Sequence, residues 1–239
     1  MLRGFAAVGA AAAIVVLCAT AWAGGDAPDK PTILMFSGTD LWRDSGFLYG
    51  GLLWSPAGFA TNGFTLKLLL DGGGYTYPSG GLHEDVGGRL LSAAAMPGFR
   101  MIGSGVTVSL FAGPLVQDYR LTPDDPGSRL RGSYAGGQLE ADIWLQPNSE
   151  TIVALDGGAA SIGPTGWLRA AVGAKVLAPL FIGPEAETFW CADYEQLRVG
   201  ARLIGWQMGA LNWGGAAGWA VDSEGRAGPY LRLDLSAQY

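Results

Sequence analysis

The chain holds one histidine, His83, in the run Gly80-Gly-Leu-His-Glu-Asp85. A histidine beside carboxylates is the residue type of general acid–base catalysis. With a serine nearby it would serve a hydrolase of envelope lipid or sugar esters. The spacing works against that role, because neighbours on an extended strand face opposite ways and Glu84 is badly placed to orient His83. A solvated loop histidine is the plainer reading. Asp124-Asp125 offers a thin calcium site, but Pro123 and Pro126 around it mark a turn. Gly72-Gly-Gly74 precedes no Lys-Ser/Thr pair and opens no helix, so it is no phosphate loop. Strand twist or close backbone approach explains it. Neither a metal site nor a cofactor is expected.

The charges carry more information than these motifs. Lys67, Asp71, Glu140, Asp142, Arg169, Lys175, Glu185, Glu187, Arg198 and Arg202 all fall on the polar parity of alternating segments. Three successive segments bring Arg169, then Glu185 and Glu187, then Arg198 and Arg202 side by side. Opposite charges on neighbouring strands of an enclosed lumen would pair. One reading is a structural network that closes a small barrel. The other is a polar track for a glucan, with Tyr75, Trp144 and Trp167 as candidate stacking faces for sugar rings. Pro184 interrupts its segment and predicts a bulge.

These residues need strands to hold them. Phe64, Leu66, Leu68 and Leu70 alternate with Thr65, Lys67 and Asp71. Val106, Val108, Leu110 and Ala112 repeat the pattern, as do Leu139 to Leu145, Leu168 to Val176 and Leu197 to Leu203. Gly46 to Trp54 is a further segment and Thr32 to Trp42 a weaker one. No helical period competes over these windows. The last stretch, Gly228 to Tyr239, sets Leu231, Leu233, Leu235, Ala237 and Tyr239 on one face and Arg232, Asp234, Ser236 and Gln238 on the other. An amphipathic strand closing on an aromatic resembles the assembly signal of bacterial outer-membrane barrels. Leu231, Leu233, Leu235 and Tyr239 would carry that signal to the barrel-assembly machinery.

Charged residues make up only 15% of the chain, against about 25% in ordinary soluble domains. Yet after residue 23 no apolar run approaches the ~20 residues of a membrane helix. At the start, Met1-Leu2-Arg3, the apolar run Gly4 to Cys18 and Ala21-Trp22-Ala23 make a secretory signal peptide, with cleavage after Ala23. Residues 24–239 are then one domain beyond the cytoplasm. Cys191 is its sole cysteine, so no intrachain disulfide is possible. Basic residues number 15 against 21 acidic, which argues against nucleic acid as a partner. A hydrophobic exported chain without spanning helices points to a closed antiparallel transmembrane β-barrel, which satisfies every backbone group inside lipid. The segments number about twelve, with ten as the alternative. The expected location is the outer membrane of a Gram-negative bacterium, among its lipids.

The connections also alternate. Pro97-Gly98-Phe99, Gln146-Pro147-Asn148 and Ala178-Pro179-Leu180 read as tight turns. Leu115 to Arg131, Pro78 to Asp85 and Phe189 to Tyr194 read as longer loops on the other side. Trp42, Trp54, Tyr75, Tyr77, Tyr134, Trp144, Trp190, Trp206, Trp213, Trp219, Tyr230 and Tyr239 read as mostly near strand ends, where aromatic girdles meet the headgroups.

Phe36-Ser-Gly-Thr-Asp-Leu-Trp42, Gly72-Gly-Gly-Tyr-Thr-Tyr77, Phe111-Ala-Gly-Pro114, Phe181-Ile-Gly-Pro-Glu185, Leu197-Arg-Val-Gly200 and the closing Gly218-Trp219 … Gly228-Pro-Tyr230 recur in an order that resembles the cellulose biosynthesis protein BcsS family. The resemblance spans nearly the whole mature chain. It implies a non-catalytic accessory of cellulose synthesis or export at the outer membrane, with cellulose or export subunits as partners. It brings no catalytic motif. Two other readings stay open: a barrel enzyme acting on envelope lipid or polysaccharide, and a soluble periplasmic binding barrel.

Overall fold

In the computed structural model, which describes residues 30–192 and 194–239, twelve strands follow one another without a helix. They are β1 (Ile33–Trp42), β2 (Ser45–Trp54), β3 (Gly63–Ser79), β4 (Glu84–Gly103), β5 (Val106–Thr122), β6 (Gly132–Asn148), β7 (Thr151–Ala160), β8 (Thr165–Leu177), β9 (Leu180–Cys191), β10 (Tyr194–Met208), β11 (Leu211–Asp222) and β12 (Ala227–Gln238). Each pairs antiparallel with its sequence neighbours. β1 pairs with β12 from Leu34↔Gln238 to Trp42↔Tyr230, so the sheet is a closed barrel with no free edge. The signal-peptide reading of residues 1–23 lies outside the described residues.

The alternation written in the sequence separates two faces. Leu70, Leu91, Leu139 and Leu177 are 63%, 66%, 62% and 68% exposed on the outer wall. An apolar surface on that scale belongs against lipid rather than water. Facing inward, Met96, Phe111, Leu115 and Tyr119 form an apolar cluster on the β4–β5 side of the lumen, joined by Ile162 from the β7–β8 turn. A smaller cluster, Trp42, Ala216, Ala220 and Tyr230, lies on the β1–β12–β11 side, and Glu140, Glu185, Glu187 and Arg232 are buried inside as well. At the end of β12 the outward alternation fades: Leu231 and Leu233 are exposed, but Ala237 is buried, a small side chain opposite Met35 and Leu211.

Several local expectations are corrected. Pro97-Gly98-Phe99 lies within β4, and the turn falls at 104–105. The ladder to β5 has no pairs between Ala94↔Leu115 and Gly98↔Phe111, where Pro97 and Pro114 cannot donate. The β5–β6 loop is only 123–131, because β5 continues to Thr122. Likewise the β3–β4 turn is 80–83, and β9 and β10 are joined by two residues rather than a long loop. The strands β3 to β6 run 17 to 20 residues, longer than the roughly 9–11 needed to cross a bilayer. What reads as loop is therefore strand that overshoots the membrane. Pro184 makes no bulge: its register with Ala201 is unbroken, and on the β8 side its own pair with Val172 and the Gly173–Gly183 pair are missing without a register shift. Register shifts in this region lie instead in β8, between Lys175 and Leu177, and in β10, between Leu203 and Trp206, where Gly205 takes φ +82°.

The aromatics divide differently from a simple girdle. Trp54, Trp190, Trp206 and Trp219 stand on the outer wall. Trp42 and Tyr230 are buried in the lumen, and Tyr75, Tyr77 and Tyr134 also point inward. The Tyr75 ring lies against Gly88, its cross-strand partner, where a Cβ would collide with it. Small residues on one strand thus make room for rings on the next.

Candidate functional site

The inward parity of β7 to β12 and β1 assembles a charge cluster. Arg169 Nε on β8 is 3.0 Å from Glu187 Oε2 on β9, and Arg202 on β10 is 3.2 Å from Glu185 Oε2. Arg198 on β10 reaches Asp40 on β1 at 2.5 Å and Glu187 at 3.9 Å. Arg202 also approaches Asp156 on β7 at 3.6 Å, and Arg169 stands 4.0 Å from the same carboxylate. The five residues named from sequence, Arg169, Glu185, Glu187, Arg198 and Arg202, therefore meet in one place.

The hub of the cluster was not among them. Arg232 on β12, with 1% of its side chain exposed, sends one terminal nitrogen to Glu185 Oε2 at 2.5 Å and the other to Glu187 Oε2 at 2.5 Å. Its Nε faces Asp234 at 3.8 Å, and Asp234 accepts from the Tyr49 hydroxyl on β2. Tyr230 also donates to Glu185, at 3.4 Å. Arg232 and Asp234 do share the polar parity of the last strand, so their inward direction was legible. Their partners were not, since β9 and β12 are not neighbours. Only the closed barrel brings them together across a chord of the lumen.

A second chord crosses the other half. Lys67 Nζ on β3 lies 2.5 Å from Glu140 Oε2 and 3.4 Å from Asp142 Oδ2, both on β6. The ammonium also sits 5.0 Å from the Phe111 ring centre, within range of a cation–π contact. In both clusters each buried charge has an opposite partner, which is the condition for holding ions away from bulk water.

The stacking candidates are not one platform. Tyr75, toward the 80–83 end of β3, stacks between Phe47 at 6.4 Å and Tyr77 at 6.1 Å. Trp167 is at the same end of the barrel on β8, with the Arg169 guanidinium 5.2 Å from its ring. Trp144 stands apart, near the opposite rim at the end of β6. On β12, Leu231 and Leu233 face outward, Leu235 is partly covered, and Tyr239 exchanges backbone hydrogen bonds with Ile33.

Elsewhere the chemistry is thin. His83 sits exposed in the 80–83 turn with φ 55°, and its ring makes no hydrogen bond or ion pair among the described residues. Asp124 and Asp125 take different partners: Asp124 faces Arg131, while Asp125 accepts from the Tyr77 hydroxyl and the Gly127 amide. Hydrogen bonding, from Ser79 first, holds the Asp125 carboxyl below the usual carboxylate range.

A closed antiparallel sheet with an apolar outer wall and a charge-paired interior defines a transmembrane β-barrel of the outer-membrane type. Similar solved structures agree on the fold. LpxR from Salmonella typhimurium matches at 12% identity over 87% of this chain and 100% of its own, with a TM-score of 0.51. The transport unit of the autotransporter AIDA-I from Escherichia coli matches at 12% identity over 97% of each chain, again at 0.51. The TodX deltaS2S3 mutant monoaromatic hydrocarbon channel matches at 8% identity over 89% and 90%, also at 0.51. Among curated proteins, none matches the sequence. Residues 34–239 match the profile of cellulose biosynthesis protein BcsS, and the chain belongs to that family.

Proposed function

We propose that this protein is a non-catalytic outer-membrane accessory of cellulose synthesis or export, acting as a rigid barrel whose interior is tied shut by ion pairs. The observation that carries this reading is Arg232, which joins two glutamates three strands away. Side chains committed to one another in this way are poor nucleophiles and poor proton carriers. The family supplies the pathway. His83, exposed and with no hydrogen bond or ion pair among the described residues, supports a role without chemistry at that residue.

In this reading residues 1–23 are removed on export and residues 24–239 form one domain. Leu231, Leu233, Leu235 and Tyr239 present the last strand to the assembly machinery, and lipids of the outer membrane cover the wall. Arg169, Glu185, Glu187, Arg198 and Arg202 work structurally. Glucan contact, if made inside the barrel, falls to Tyr75 and Trp167, which share one end, rather than to Trp144. Cellulose-export subunits are the expected protein partners.

The test is fractionation beside a deletion strain. The protein should pellet with outer membranes and migrate differently on gels before and after heating. Its deletion should lower secreted cellulose while leaving cellulose synthase abundance unchanged. Recovery from the soluble periplasm would overturn the location, and unchanged cellulose would overturn the role.

A further inference from the structure

Among the described strand residues, outward-facing charge is confined to one rim. On β4 the outward residues from Leu91 to Met101 carry no charge, and on β5 none does from Val106 to Val116. Ten steps of strand at about 3.3 Å, tilted by about 40°, rise roughly 25 Å, the height of an outer-membrane apolar band. The next outward residues are Arg89 on β4 and Asp118 and Arg120 on β5. They therefore stand at headgroup level.

Arg89 and Arg120 lie directly opposite one another in the β4–β5 ladder. Like charges so placed repel. The available acid only partly relieves this. Asp118 accepts from Arg120 Nε at 2.8 Å and from the Ser133 hydroxyl at 2.7 Å. The terminal nitrogens of Arg120 make no hydrogen bond or ion pair among the described residues, on a side chain that is 80% exposed. Arg89 is exposed and has no acidic partner among the described residues. Arg131 flanks the row, one step past the Tyr119↔Gly132 pair. Directly below, Leu91, Val116 and Leu70 form an apolar wall, 66%, 53% and 63% exposed.

We propose that Arg89 and Arg120 form a binding site for the phosphate of an anionic, phosphorylated lipid in the outer leaflet. Guanidinium groups take phosphate oxygens through paired N–H donors, and a phosphate between the two arginines offsets their repulsion. The acyl chains lie on the Leu91–Val116–Leu70 wall, and this apolar contact separates a lipid from a free anion. The inference rests on the outer-membrane reading and on the orientation that puts this rim outside. Four of the five turns on the opposite rim, 104–105, 149–150, 178–179 and 209–210, have two residues each, whereas this rim carries the nine-residue 123–131 loop.

The full chain is purified from whole-cell lysate in mild detergent, whichever fraction holds it, and folding is checked by heat-modifiable migration. The probes are bisphosphorylated lipid A, the same lipid stripped of phosphate, and inorganic phosphate, with binding read by native mass spectrometry. Wild type should bind the phosphorylated lipid at least tenfold more tightly than the stripped one. Arg89→Gln with Arg120→Gln should lose most of that difference, whereas Lys30→Gln at the far rim should keep it. Arg89→Gln alone serves if the double variant does not fold. Equal retention by wild type and the arginine variants would overturn the site, and displacement by equimolar inorganic phosphate would overturn its lipid specificity. A barrel that binds as expected but does not fractionate with outer membranes would fault the location reading instead.

Discussion

Arg232 and Glu185 meet at 2.5 Å although their strands, β12 and β9, are separated by β10 and β11. The contact spans the lumen instead of following the sheet. The Arg198–Asp40 and Lys67–Glu140 pairs do the same between other strands three apart. Ladder hydrogen bonds fix neighbours, and these chords fix the barrel's cross-section.

Removing the hub should therefore cost more than removing any rim charge. Arg232→Met leaves Glu185 and Glu187 short of a cation, and breaking a buried pair typically costs about 3–5 kcal/mol. Arg232→Lys should recover only part, because one ammonium cannot reproduce a guanidinium that reaches two carboxylates. Urea unfolding of the purified barrel in lipid vesicles, followed by tryptophan fluorescence, measures both.

The second chord should behave as a coupled unit. Lys67→Met and Glu140→Gln should each destabilise, and the double variant should lose less than the sum, with a coupling of about 1 kcal/mol or more. A double-mutant cycle in the same unfolding assay checks it, and strict additivity would mean the pair contributes nothing.

The wall should tolerate no charge. Leu233→Arg places a cation on the apolar face of β12, where Leu233 is 46% exposed, at a cost of roughly 2–4 kcal/mol near the midplane. Slower assembly and less heat-modifiable protein in outer membranes are expected, and normal assembly would mean the strand faces the other way.

The outer loop should respond to acid. Hydrogen bonds hold the Asp125 carboxyl below the usual carboxylate range, so its contribution is present above that range and is lost as pH falls through the depressed value. Nicking within 123–131 by an acid-active protease should rise below that point. Asp125→Asn should be nicked at every pH, with no step.

Much of the fold was legible because a period of two needs only local information. Leu139 or Leu168 could be sent outward, and Glu140 or Arg169 inward, from their immediate neighbours. Turn positions were less legible, since Pro97 marks a gap in the β4–β5 ladder and not a chain reversal. The cluster was half legible. Arg169 with Glu187, and Arg202 with Glu185, are neighbouring-strand pairs of the kind that counting strands finds. Asp40 and Arg232 join through closure of the barrel, which sets Arg198 beside Asp40, 158 positions away, whereas Asp156 is the cross-strand neighbour of Arg169 and counting strands could have found it. Strand order alone does not say which glutamate Arg198 takes: it is bound to Asp40 and Glu187 and not to Glu185.

The proposed role, cellulose output served by the barrel's structure and not by catalysis, makes folded barrel the quantity that sets output. The most direct measurement is secreted cellulose divided by folded barrel in outer membranes, taken in wild type, His83→Ala, Glu185→Ala and Arg232→Met. One ratio is expected for all four strains, with cellulose falling only as folded barrel falls. A variant that folds to wild-type level yet loses cellulose, His83→Ala above all, would contradict it.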